Sequence, residues 1–314
     1  MPRRAARRLD RLPAGPPPRA ASLIVTLFGD CVLPHGEEIW LGSLIALAAP
    51  FGVNERLVRT AVLRLARDDW LAARPAGRRS AYEVTPAGRQ RIEDAYRRVY
   101  AAAPPRWDGG WCLVLLPPAA LERARRARAR RELGWLGFGA LGPSALLHPS
   151  PDRASLAHAL RRLGLAERAI VVEGRASGPR GAAALRDLVA GSWDLREVEA
   201  GYRGFLARFR PSWRLIAAGA PREPAACFRL RVRLIHEYRR AVLRDPLLPA
   251  ELLPRDWPGG AARALARAIY RVVAPAAERH LMPLLANEDG PLPEPDRAYY
   301  ARFGGLARPA RARR

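Results

Sequence analysis

The chain has 314 residues and a formal net charge of +24, with a sequence pI near 11.5. It is long enough for two or three small domains with cores of their own, its charge favours a polyanionic partner, and no apolar stretch approaches the roughly 20 residues that span a bilayer. All 54 basic residues are arginine, a bias expected of a GC-rich genome, so the placement of the arginines says more than their number.

Residues 1–21 hold RRAARR and AGPPPRA, a mixture that cannot bury anything and is expected to be a disordered basic tail. It either adds non-specific attraction to DNA or stands as an inert solvated arm. The start MPRRAARR looks like the basic end of a signal peptide, but the apolar SLIVTLFG that follows is short and runs into Asp30. It reads as the first helix of the fold, so the protein is expected in the cytoplasm.

Ser22 to Val32 is expected to form a scaffold helix with Leu23, Leu27 and Cys31 on one face. Leu41 to Ala49 is a short apolar helix that stops at Pro50, and Pro50 to Gly52 supplies a tight connection. Next comes PFGVNERLVRTAVLRLARDDWL. Leu57, Ala61 and Leu65 recur every four residues beside Val58 and Val62, the stripe of a helix packed on a core. Asn54 stands where an N-cap is wanted, and Arg56, Arg59, Thr60, Leu63 and Arg67 fall on the opposite face.

Trp70 to Arg74 and Ala81 to Thr85 have strand composition and flank a turn of Gly77, Arg78, Arg79 and Ser80. Arginines at a hairpin tip do nothing for a core, but they can reach a phosphate or the minor groove. The combination spells a winged helix-turn-helix with a recognition helix over Asn54 to Asp68 and a wing tip over Gly77 to Ser80. The candidate DNA contacts are Asn54, Arg56, Arg59, Thr60, Leu63, Arg67, Arg78, Arg79 and Ser80. Any single one of these arginines also fits an ordinary solvated face.

After a helix through Gln90 to Tyr100, the segment AAAPPRWDGG breaks the chain. Trp111 to Leu116 is an unbroken apolar strand, followed by the basic helix ALERARRARARREL. GFGAL and SALLHP are two short strands, Ser155 to Leu163 is a helix and Ala169 to Glu173 a last strand. That order is ferredoxin-like. From about Ala182 the pattern is helical: Leu185 to Val189, Leu195 to Phe209, Ala225 to Leu243, then Ala261 to Pro275 and Ala276 to Leu285, with Pro275 and Pro283 as expected interruptions. The closing ARPARARR is a second basic tail.

Catalytic and metal-binding patterns are missing. Cys31, Cys112 and Cys227 lie far apart in apolar runs, as buried thiols do in a reducing cytosol. His35, His148, His158, His236 and His280 lack zinc spacing, and HEYRR lacks the second histidine of HExxH. GxSxG and GxxxxGK do not occur, and GFGALG at 137–142, which has the glycine spacing of GxGxxG, lies between expected strands and reads as a turn. No cofactor or resident metal is expected, and the chain reads as a non-enzyme.

The segments SLIVTLFGDCVLPHG, IWLGSLIALAAPFGVNERLVRTAVLRLARDDWL and GRRSAYEVTPAGRQR resemble the amino-terminal domain of the PaaX family, bacterial repressors of phenylacetate degradation. LIHEYRRAVLRDPLLPAELLPRDWPG resembles that family's carboxy-terminal signature. The resemblance implies an α+β chain in three parts: a winged helix-turn-helix over 22–103, a Cas2-like ferredoxin-fold domain over 106–176 and a mainly helical domain over 182–307, with basic tails at 1–21 and 308–314. It also implies a homodimer on double-stranded promoter DNA and release by phenylacetyl-coenzyme A.

A related regulator of another aromatic or acyl-thioester pathway fits the same residues. A Cas2-like metal-dependent nuclease fits less well, because such enzymes need a carboxylate near the end of the first strand and none occurs from Trp111 to Leu121. His236, Glu237, Tyr238, Arg239, Arg240 and Asp245 are the effector candidates, since the signature falls there and charged groups mix with an apolar face. A helix junction held by ion pairs explains the same six residues.

Overall fold

The computed structural model describes residues 17–77, 79–101, 107–117, 122–149, 151–175, 182–220 and 222–307. Most of the amino-terminal tail, the closing basic tail and Arg78 of the expected wing tip lie outside them. The chain divides into two compact units, one drawn from Met1–Ala102, Tyr202–Arg240 and Gly259–Arg314, the other from Ala103–Gly201 and Ala241–Pro258.

The first unit opens with α1, Ala20–Leu27, which continues as a wider π turn over Phe28–Val32. Strand β1 is Glu38–Trp40 and helix α2 Leu41–Ala48. Helix α3 is Glu55–Arg67, strands β2 and β3 are Leu71–Ala76 and Arg79–Val84, and helix α4 is Pro86–Val99. The three strands pair antiparallel in the order β1-β3-β2. Of these three strands β1 alone has no counterpart in the sequence reading, because three residues carry no measurable alternation. Its Ile39 is fully buried, opposite Tyr82.

On α3 the buried stripe is Val58, Ala61, Val62 and Leu65. Leu57, expected in that stripe, is 41% exposed. At 100° per residue it stands about a quarter turn from the centre of the arc that the other four define, beyond its edge.

In the second unit, β4 is Gly110–Leu115, α5 Arg123–Trp135, β5 Gly139–Ala140, β6 Ala145–His148, α6 Arg153–Arg162, β7 Ile170–Arg175 and α7 Ala182–Ser192. The strands form one antiparallel sheet, ordered β5-β6-β4-β7. Alternation along β4 decides which layer each residue meets. Cys112 and Val114 pack with Ala129 and Leu133 of α5 and Leu156 and Leu160 of α6. Trp111 turns to the other face, with Leu147, Val189, Leu248 and Leu252. Gly139 is required by its neighbour, since a Cβ there would lie 2.4 Å from the Trp193 ring.

Three long helices follow: α8 over Arg196–Ala217, α9 over Pro224–Val242 and α10 over Gly259–Leu281. Pro275 does not interrupt α10, contrary to the expectation. A proline costs a helix one hydrogen bond and a steric clash, but Val273, Ala274, Ala276 and Ala277 around it are all buried, and that packing holds the helix together. Cys31, Cys112 and Cys227 are buried free thiols. Among the described residues no single helix is long and apolar enough to cross a membrane.

A buried polar centre organises the first unit. Asp30 and Arg231 are both inaccessible to solvent. The Asp30 carboxylate accepts from Arg231 Nε at 2.9 Å, Tyr270 Oη at 2.9 Å and Arg302 Nη1 at 3.2 Å, and also from the Tyr100 hydroxyl. Arg231 reaches Glu278 as well. Two guanidinium groups thus face two carboxylates, and a buried charge persists only when compensated in this way.

Candidate nucleic-acid interface

Helix α2 runs through a 3-10 turn, Ala49–Phe51, into Gly52, whose φ of +77° is the left-handed conformation that glycine adopts without strain. The chain then enters α3, and the two helical segments are bent by 118°, within the range of two helices joined by a tight turn. Asn54 caps α3, its side chain accepting from Leu57 N at 3.0 Å. One of the four orphan amides of the first turn is thereby satisfied.

With Val58, Ala61, Val62 and Leu65 turned inward, α3 presents Arg56, Arg59, Thr60, Leu63 and Arg67 to solvent, all exposed as expected. They are not equivalent. Arg59 is already engaged by Glu55, with Nη2 at 2.7 Å and Nε at 2.9 Å from the same oxygen. The Thr60 hydroxyl donates to Arg56 O at 2.9 Å, which leaves its lone pairs and methyl group facing out. Leu63 is 59% exposed, an apolar group on a cationic face. Among the described residues Arg56 and Arg67 have no hydrogen-bond or ion-pair partner. Arg64, which the sequence reading passed over, is exposed on the same helix, 3.7 Å from Asp68. Its spacing of eight from Arg56 was the available signal.

The β2–β3 hairpin is closed by the pairing of Ala76 with Arg79, and Gly77 lies at its tip with φ +59°. Arg79 is exposed and stacks over the Trp40 ring with 5.6 Å to the centroid. That contact aims the side chain without neutralising it. Ser80 is half-buried opposite Pro75. The base of the hairpin is locked by Arg74 and Glu83, 2.8 Å apart.

The residues suggested for an effector have partners within the fold. Arg239 donates to the Thr26 hydroxyl at 3.0 Å and to Ser22 O at 3.4 Å, and His236 Nδ1 lies 3.0 Å from the same hydroxyl. The Thr26 hydroxyl also lies 3.0 Å from Ser22 O, to which it can donate. Burial first, and then Arg239, Arg240 and Arg233, push the His236 imidazole down to about 3. Glu237 pairs with Arg208 at 2.8 Å and approaches Arg240 at 4.0 Å. Tyr238 is fully buried, its ring 5.4 Å from that of Phe205. Asp245 accepts from Leu247 N at 2.8 Å. These are the bonds of helix junctions, and through Thr26 they tie α9 to α1.

Among the described residues no three or more His, Cys, Asp or Glu side chains are grouped to hold a metal ion, and β4, reading GWCLVL, has no carboxylate.

Three family models match in succession: PaaX-like protein over residues 19–88, the PaaX protein central Cas2-like domain over 104–186 and the PaaX-like protein C-terminal domain over 193–283. The transcriptional repressor PaaX of Escherichia coli (strain K12) is 41% identical over 291 residues, 92% of each chain. A solved structure of an uncharacterized protein, Rv0674 from Mycobacterium tuberculosis, is 25% identical, with a TM-score of 0.51 over 83% of this chain and 96% of that one. By sequence along nearly its whole length, this chain belongs to the PaaX family.

Proposed function

We propose that this protein is a transcriptional repressor of phenylacetate catabolism that binds promoter DNA as a homodimer in the cytoplasm and is released by phenylacetyl-coenzyme A. Its first unit works as a winged helix-turn-helix, with α3 in the major groove and the β2–β3 hairpin as the wing. The observation that carries the reading is the capped α3, set at 118° to α2 and exposing Arg56, Arg59, Leu63 and Arg67 on one face. The 41% identical relative is a repressor by name, which supports the same role. Phosphate contacts from arginine supply affinity, and two or three α3 side chains at base edges supply specificity. One recognition helix per chain calls for a second copy to read a two-part operator.

The effector acts through α9. His236 and Arg239 hold Thr26 of α1, so a ligand that engages the Glu237, Tyr238 and Arg240 stretch of that helix displaces the scaffold of the DNA-reading segment; Asp245 lies just beyond it. The chain acts as a regulator and carries out no chemistry on the ligand.

The test is a release titration on promoter-bound protein with phenylacetyl-coenzyme A, free phenylacetate and free coenzyme A. The thioester alone is expected to release the DNA. Indifference to it, together with release by another acyl-coenzyme A, moves the protein to a different pathway, and failure to bind promoter DNA at all removes the repressor reading.

A further inference from the structure

Helix α5 carries six arginines in thirteen residues, and the structure sorts them. Arg125 donates to Leu163 O and Gly164 O at 3.1 and 3.0 Å, closing the turn after α6. Arg130 donates to Gly142 O in the β5–β6 connection. Arg128 and Arg131 are exposed and have no hydrogen-bond or ion-pair partner among the described residues. With Trp135 they fall at spacings of three and four, on the side of α5 opposite its buried Ala129 and Leu133. Trp135 is 76% exposed. The nearby acid, Glu132, is taken up by Arg162.

We infer that Arg128, Arg131 and Trp135 form a second DNA contact, in which the central unit grips the sugar–phosphate backbone independently of sequence. This rests on the DNA-binding reading above. Charge complementarity names the occupant: two unpaired guanidinium groups within one helical turn, with no free carboxylate beside them, suit consecutive phosphates in fork geometry. A solvated arginine face accounts for the charges but not for an indole left in water on the same stripe. Beside a backbone, the flat apolar ring lies against deoxyribose while the guanidinium groups take the phosphates. A small anion is a poorer fit, because small ligands seek concave sites and this stripe runs along the outside of a helix.

The experiment measures the affinity of the full chain for promoter DNA and for unrelated duplex over a range of salt, with the Arg128→Ala/Arg131→Ala double variant, Trp135→Ala and Trp135→Phe. Each neutralised phosphate adds about 0.9 to the slope of log K on log salt. The double variant should lose close to two such contacts from the slope, on both DNAs alike. Between 50 and 200 mM salt, the unchanged protein should therefore lose about tenfold more affinity than the double variant. Trp135→Ala should weaken both DNAs equally, and Trp135→Phe should restore most of the binding. Melting curves should coincide, because all three side chains are on the surface.

An unchanged slope and affinity in the double variant, while Arg56→Ala still weakens operator binding, overturns this contact and leaves the repressor reading standing. A double variant that alters only the sedimentation of the free protein overturns it in favour of a protein partner. If the unsubstituted chain fails to bind either DNA, both readings fall.

Discussion

Asp30 and Arg231 are 201 residues apart in sequence, yet they form an ion pair with neither side chain accessible to solvent, Nε to Oδ2 at 2.9 Å. Arg231 also donates to the Asp30 backbone carbonyl at 2.7 Å, so one guanidinium grips both the side chain and the main chain of the π turn that ends α1. The α1 end of the proposed DNA-reading segment is therefore fastened to α9 by a buried ion pair and a main-chain hydrogen bond.

Asp30→Ala is expected to destabilise the protein by about 3–5 kcal/mol, the usual cost of leaving a buried charge without its partner. Asp30→Ala/Arg231→Met should recover part of that loss, because the Arg231 charge leaves with its partner while Arg302 still loses its carboxylate. Urea denaturation of the two variants checks this; equal losses would show that packing, not uncompensated charge, sets the cost.

The Glu55–Arg59 pair on α3 competes with DNA for the guanidinium. Glu55→Gln should therefore raise promoter affinity and steepen its salt dependence, at a cost to helix stability of about 0.5 kcal/mol or less. Arg56→Ala, which has no such competitor, should weaken binding and lower the salt slope by about one unit if it meets a phosphate. Fluorescence anisotropy at several salt concentrations separates the two effects.

Asn54→Ala removes the α3 cap, with an expected loss of about 1 kcal/mol. Asn54→Asp keeps an acceptor at the cap and should hold the fold, but it adds a negative charge at the proposed DNA face. Unfolding midpoint and promoter affinity should therefore respond differently to the two substitutions.

Stability should fall on the acid side in two stages. An unfolded histidine takes up a proton near pH 6.5, whereas buried His236 resists it down to about 3; the unfolded state binds more protons in that interval, so stability is full above pH 6.5 and declines as pH drops towards 3. Burial pushes the Glu278 carboxyl up, but Arg231 and His35 outweigh it and hold the carboxyl at about 2 against an ordinary 4.5. Its contribution is present above pH 4.5 and is lost as pH falls towards 2. His236→Gln should flatten the first stage and Glu278→Gln the second, measured as unfolding free energy against pH.

Incubation with duplex DNA or RNA and magnesium or manganese should give no cleavage, since β4 has no carboxylate to hold a metal ion at a phosphate. Cleavage that follows the protein through successive columns, and is lost on deleting the central unit, would reverse the regulator reading.

Sequence alone determined the elements whose signal is local. The period of Val58, Ala61, Val62 and Leu65, the Asn54 cap and the glycines at the turns depend on neighbours within a few residues, so α3, the hairpin and the strand–helix order of the central unit could be read directly. What pairs across long separations could not. Asp30 looked like the polar end of an apolar run, and His236 to Asp245 like either an effector site or a helix junction held by ion pairs; only tertiary contacts showed a buried charge centre and a clasp on Thr26. The folded chain also decided which arginines are occupied, because codon bias makes them alike in sequence, whereas a carbonyl or carboxylate within 3 Å sets Arg125 and Arg59 apart from Arg128 and Arg56.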